Sequence, residues 1–225
     1  MNSPDPLPWH LLLDGLATLG LPFEPSHLAA FQRYAALLVK WGAALRLTGT
    51  RDPHEWIETH FLDSLTPLPD LEGATSLLDI GSGAGFPGLP LAIVRPDLTV
   101  TLLETYGKKA TFLRTAVHEL GLSRVTVRNA RAEDSPSPQF GAVISRALCA
   151  PAAWLPMAVP WTRPGGRILS MLGREVPADE DLRELAVSHG CTFSGVRRFH
   201  LPHSGAHRAI ARWERATPGP PAFSP

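Results

Sequence analysis

Five short apolar runs, most of them followed by a helical stretch, leave this chain few ways to fold. Strands are expected at Ser76–Ile80, Thr99–Leu103, Arg124–Arg128, Ala142–Ser145 and Arg167–Leu172. Helices are expected at Pro87–Val94, Lys108–Leu120, Ala152–Val159 and Asp179–His189. A parallel neighbour requires a crossover long enough to hold a helix, so the alternation predicts a parallel sheet with helices on both faces. Two more strand-like runs, Thr192–Phe199 and His207–Glu214, are joined only by "HLPHSGA". With no helix between them they close the sheet as an antiparallel hairpin.

Ahead of the sheet come three helical segments. Pro8–Leu19 is rich in apolar residues, and Ser26 is placed to cap a helix running to about Trp41 with Leu28, Phe31, Ala35 and Leu38 on one face. The third starts in "RDPHEWIETHFLDSL", where Asp52, Pro53 and Glu55 combine an N-cap, a proline at the first helical position and a capping-box partner. The expected organisation is a helical cap over residues 1–70, an α/β domain over 71–215 and a disordered proline-rich tail over 216–225.

The first strand runs into "DIGSGAGFPG", with glycines at 81, 83, 85 and 88. In an open α/β sheet, ligands bind at the carboxyl ends of the strands, and glycine lets a ligand approach the backbone there. The Gly83, Gly85 and Gly88 spacing also fits a dinucleotide loop. Asp79, two residues ahead of Gly81, would repel a pyrophosphate but suits an ammonium group or an ordered water on a cationic ligand. Phe86-Pro87 adds an apolar wall where a dinucleotide loop keeps donors free. Glu104 ends the next strand about 20 residues on, where a carboxylate can take both ribose hydroxyls. These features favour S-adenosyl-L-methionine as the ligand, although Glu104 alone fits any nucleoside. After the third strand, the short polar segment "RNARAEDS" is placed to lie over an adenine, with backbone groups and Glu133 near its exocyclic amine.

Strand four ends in "VISRALCAP", which carries neither the Asn/Asp-Pro-Pro-aromatic element used on exocyclic amines nor a well-placed nucleophile for a pyrimidine carbon. Cys149 reads as core filler. Ser145 and Arg146 occupy the rim instead. A substrate atom needing no base and no covalent step fits this set, and guanine N7, with its free lone pair on the major-groove edge, is one such atom. Other imine nitrogens satisfy the same logic.

These pieces together resemble the bacterial small-subunit (16S) ribosomal RNA guanine-N7 methyltransferases, the glucose-inhibited division protein B family. The resemblance covers roughly Leu45 to Glu214 and rests on "LTGTRDPHEWIETHFLDSL", "LLDIGSGAGFPGLPLAIVRPDLTVTLLETYGKKATFLR", "RAED" and "ISRA". It implies a Rossmann-like S-adenosylmethionine-dependent methyltransferase acting on a guanine of small-subunit RNA or the 30S subunit. Cofactor contacts then map onto Gly81, Phe86, Ala132, Glu133 and Arg146, joined by Asp79, Gly83 and Glu104 from the loop reading. His60, Asp63 and Ser64 match an element packed beside the cofactor pocket. Arg146, Ser145 and His60 are candidates for the neighbourhood of the methyl group, and no residue is assigned a proton-transfer role. Lys108 and Lys109, at a helix start, are placed to meet RNA phosphate.

The totals bound the reading. Net charge is zero over 225 residues, so no global basic field announces nucleic acid, although 18 arginines stand against 3 lysines. No apolar run is long enough to span a membrane. Two distant cysteines, Cys149 and Cys191, fit a reducing cytoplasm rather than a disulfide framework. A cytoplasmic monomer without a metal is expected; His200, His203 and His207 cluster near the hairpin turn but have no carboxylate or cysteine beside them in sequence. Three other functions stay open. One is a methyltransferase acting on another RNA nitrogen or a protein, another a non-catalytic RNA-binding relative, and the third an NAD oxidoreductase, which the missing catalytic His or Tyr-x-x-x-Lys disfavours.

Overall fold

The computed structural model describes residues 7–45, 53–134, 136 and 139–217. Its helical N-terminal part comprises α1 (Trp9–Leu19), α2 (Leu28–Leu45), α3 (Pro53–Trp56) and α4 (Asp63–Leu65). A seven-stranded sheet follows, with β1 (Ser76–Ile80), α5 (Gly88–Val94), β2 (Thr99–Leu103), α6 (Gly107–Glu119), β3 (Val125–Arg128) and β4 (Phe140–Arg146) in chain order. Then come α7 (Pro151–Ala158), β5 (Thr162–Leu172), α8 (Asp179–Ser188), β6 (Cys191–His200) and β7 (His207–Arg215).

Strand order is β3-β2-β1-β4-β5-β7-β6, parallel throughout except that β7 runs antiparallel between β5 and β6. The chain moves outward from β1 to β3 and then returns to β4 on the other side of β1. This reversal opens a crevice beside the carboxyl end of β1, which is where the glycine loop sits. Period-two alternation sorts the strand residues between two apolar layers. Leu77, Leu102, Ala142 and Ile144 join the helical N-terminal segment, α5 and α6 in one core. Leu78, Leu103 and Val143 face α7 and α8 around Trp154, Trp161 and Trp213.

Four elements differ most from expectation. Ser26 lies inside a 3-10 turn, Pro25–His27, capped by Glu24, so α2 starts at Leu28 and continues to Leu45. The Asp52 cap lies outside the described residues. The third helical segment is broken by a π-helix, Ile57–Leu62, in which the Asp63 N–H reaches back to Glu58 O. β4 and β5 are longer than read, because a register shift between Phe140 and Ala142 lets the strand absorb "TRPGG", a stretch whose proline and glycines argue against a regular strand. The expected tail at 216–225 falls outside the described residues after Thr217.

The turn carrying the histidines is a clamp. Glu58, from the π-helix, accepts from the backbone N–H of His203 (2.6 Å) and Ser204 (3.0 Å). The His203 ring meets Leu11 O at 2.7 Å, tying the hairpin to α1. His200 and His207 face each other across the strands, with ring centroids 4.3 Å apart. Among the described residues no helix is long and apolar enough to cross a membrane.

Candidate active site

The glycine loop is wired into the sheet at both ends. Gly81 and Ser82 both donate to Leu103 O, at 2.8 and 3.2 Å, which docks the loop on β2. Gly83 takes φ +58°, a left-handed conformation that L side chains rarely adopt, and its N–H donates to Glu104 Oε2 at 2.8 Å. The other Glu104 oxygen accepts from Tyr106 N–H at 2.8 Å. Glu104, 5% exposed, therefore buckles the loop after β1 to the loop after β2. Each oxygen retains lone-pair capacity for a further donor such as a hydroxyl.

Asp79 works from below. Alternation puts it on the Leu77 face, where Oδ2 accepts from Gly88 N–H at 3.0 Å and satisfies a donor at the start of α5. A Cβ at position 88 would come within 2.7 Å of that oxygen, so the close approach requires glycine. The carboxyl is wholly buried, Oδ1 is buried without a hydrogen-bond partner, and burial pushes the pKa up to about 7. Asp79 thus supports the loop rather than lining the cleft.

The cleft itself, about 240 Å³, opens over Gly81, Leu103, Thr105, Ala132 and Glu133, with Leu148 at its rim. Trp161 Nε1 donates to Ala132 O at 2.8 Å and holds the "RAED" turn in place. Asn129 Nδ2 ties the end of β3 to Glu104 O and Thr105 O, at 2.8 and 2.9 Å. A second cleft, about 250 Å³, lies among Asp70, Arg167 and Arg212. Asp70 there pairs with Arg212 and, from outside the lining, with Arg197, and Arg167 is tied to the carbonyls of Asp70 and Glu72.

Beside the glycine loop, Arg146 and His60 come together. Arg146 donates to Thr59 O (2.9 Å), contacts His60 Nδ1 (3.2 Å) and lies 3.5 Å from Asp63 Oδ2. Its guanidinium sits over Phe86, 5.0 Å from the ring centroid, and the His60 ring stacks on the same phenylalanine at 4.9 Å. The other Asp63 oxygen pairs with Arg208 of β7 at 3.2 Å. Burial, reinforced by Arg146, lowers the His60 pKa to about 3, so the ring is neutral at ordinary pH. Burial raises the Asp63 pKa while its two arginines oppose the rise.

Ser145 does not join them. It precedes Arg146 by one residue, so alternation sends it to the opposite face, where it is 3% exposed. Ala147 takes φ +51°, an unusual conformation for alanine, at the turn out of β4. Cys149 is half-buried, and burial raises its thiol pKa, which makes a poor nucleophile.

Two contributors were not singled out in the sequence. Tyr34 of α2 donates from Oη to Ala84 O inside the loop, and the Thr59 carbonyl anchors Arg146. A hydroxyl on the apolar face shared by Phe31, Ala35 and Leu38 was the available signal for the first. Nothing in the sequence pattern marks a π-helix, so the second had none.

Residues 27–211 match the GidB family, rRNA small subunit methyltransferase G. The chain belongs to that family. A ribosomal RNA small subunit methyltransferase G of Anaeromyxobacter sp. (strain Fw109-5) is 44% identical over 204 residues, covering 88% of this chain and 94% of that protein. The protein of the same name from Myxococcus xanthus is 41% identical, covering 89% and 94%. Among solved structures, the S-adenosylmethionine-dependent methyltransferase SibL superposes with a TM-score of 0.59 at 20% identity, covering 93% of this chain and 75% of that one. The Burkholderia thailandensis 1,6-didemethyltoxoflavin-N1-methyltransferase gives 0.57 at 17% identity, covering 87% and 92%. At such identities these two speak for the fold, and the family match carries the rest. In this member of the GidB family, the glycine loop, Glu104 and Arg146 are all brought to one end of the sheet.

Proposed function

We propose that the protein transfers the methyl group of S-adenosyl-L-methionine to N7 of a guanine in small-subunit (16S) ribosomal RNA, working as a cytoplasmic monomer. The observation that carries this reading is the Glu104 buckle across the glycine loop, in a chain of the methyltransferase G family. Gly81, Gly83, Ala132 and Glu133 would hold the adenosine part of the cofactor, with Glu104 toward the ribose. Phe86 and Arg146 would bound the side where the methyl group lies. The helices that precede β1 would serve as a cap on the methyltransferase domain.

S-Adenosylmethionine, when bound, supplies an electrophilic methyl group on a cationic sulfonium. Guanine N7 has a free lone pair in the neutral base and needs no deprotonation before attack. The residues fit that demand. His60 is neutral but its Nδ1 faces Arg146, Cys149 holds its proton, and Asp79 is sealed beneath the loop. Catalysis by approach and alignment is what such a site offers.

The test is methyl transfer from labelled S-adenosylmethionine to 30S subunits from a strain lacking the gene, followed by borohydride reduction and aniline cleavage, which breaks the chain at N7-methylguanosine. One new cleavage in 16S RNA is the expected result. Label without cleavage would move the reaction to another atom, and no label would overturn the proposal.

A further inference from the structure

We infer that His60 is a positioning residue for Arg146, its Nδ1 accepting from the guanidinium and fixing it against Phe86 of the glycine loop. The inference rests on the reading of Arg146 as a cofactor-side residue. Arginine has five N–H donors and no acceptor, so the 3.2 Å contact from Arg146 Nη2 requires a lone pair on His60 Nδ1. The ring proton is then on Nε2, which is buried and has no hydrogen-bond partner. A protonated ring would turn Nδ1 into a donor aimed at a cation. Desolvation and Arg146 itself both hold the ring neutral, which keeps the acceptor in place.

Arg146 is held in direction rather than merely neutralised. Asp63 supplies the opposite charge, but at 3.5 Å, and it shares that charge with Arg208. Thr59 O and His60 Nδ1 are the close contacts, one on each terminal nitrogen of the guanidinium. Both belong to the π-helix Ile57–Leu62, so the irregular turn presents a main-chain oxygen and a ring nitrogen to the same arginine. The 23° stack of the imidazole on Phe86 sets the plane of the ring and with it the direction of the Nδ1 lone pair.

Two variants separate positioning from packing. His60→Phe keeps an aromatic ring on Phe86 and removes the acceptor. His60→Asn places an amide oxygen near the position of Nδ1. With the full chain, calorimetric binding of S-adenosylmethionine is expected to weaken about tenfold in His60→Phe, or about 1.4 kcal/mol, and to return to within about threefold of wild type in His60→Asn. Thermal unfolding of both variants checks that they fold. The ¹⁵N spectrum of the ligand-free wild type is expected to show the Nε2–H tautomer through neutral pH. The Nδ1–H tautomer, unchanged binding by His60→Phe, or an Asn variant no better than the Phe variant would each overturn the inference. Failure of the wild type to bind the cofactor would overturn the proposed function instead, while the tautomer measurement would still decide the role of His60.

Discussion

The Tyr34 hydroxyl donates to the carbonyl of Ala84, so a helix of the N-terminal segment holds the tip of the glycine loop directly. The Tyr34 ring also packs on Phe86 (5.4 Å) and Phe61 (5.7 Å). Tyr34→Phe keeps those contacts and leaves a buried carbonyl without its donor. The expected cost is about 1–3 kcal/mol of stability. Cofactor affinity should fall with it, because the loop loses a tether at the residue between Gly83 and Gly85. Denaturant unfolding and calorimetry measure the two effects separately.

Glu104 should show graded behaviour. Glu104→Gln keeps one carbonyl oxygen, so one of the Gly83 and Tyr106 amides stays paired. Glu104→Ala strands both; the two donors are only part-buried, so together they cost about 1–3 kcal/mol. S-Adenosylmethionine affinity is expected to rank wild type, then Gln, then Ala, with the Ala variant also losing the most thermal stability. Equal affinity in wild type and Ala would show that the buckle is not part of the cofactor site.

Gly88→Ala tests the close approach at Asp79. Its new methyl group would sit 2.7 Å from Asp79 Oδ2, in a layer already filled by Leu102. Overpacking of this kind costs about 1–3 kcal/mol. Thermal unfolding should show the loss even without cofactor, which separates a packing defect from a ligand contact.

Asp79 also predicts a pH dependence. Burial raises its folded pKa to about 7 against the ordinary 3.8, with the Gly88 amide, Ser82 and Arg146 pulling it down and Glu104 adding to the rise. The folded state therefore holds this proton where the unfolded state has released it. The contribution is fully present below about pH 4 and is lost as pH rises through about 7. His60 runs the other way, since its pKa falls from 6.5 to about 3 and its share of stability is lost on acidification across that range. Asp79→Asn keeps an acceptor for Gly88 and removes the titration. Relative to wild type it should gain stability above pH 7 and match it near pH 4, as read by denaturant unfolding across that range.

The fold was largely legible because its signals are local. The apolar runs of β1 and β2 have the same bounds in sequence and in structure, since each is bounded by turn residues. The antiparallel hairpin followed from the absence of a helix between β6 and β7. Where reading stopped short, a long-range partner decided the matter. Pro164, Gly165 and Gly166 argue against a strand, yet the register shift opposite Phe140 keeps that stretch within β5.

The site divides in the same way. Gly81, Gly83, Glu104, Ala132 and Glu133 carry spacing signals, and the structure gathers their loops at one end of the sheet. The position of Asp79 ahead of the glycines suggests a ligand contact, whereas the alternation of β1 turns its carboxyl beneath Gly88. Ser145 and Arg146 looked like a pair, but successive residues of a strand point to opposite faces. By itself the sequence determined the order of strands and helices, the glycine loop after β1 and the carboxylate after β2, because these depend on period and short spacing. Only the tertiary structure decided that Tyr34 tethers the loop, that a π-helix meets Arg146 and that Asp63 stands between two arginines. Those contacts join residues about 50 to 145 positions apart, and it is burial among distant neighbours, not local pattern, that sets their charge and direction.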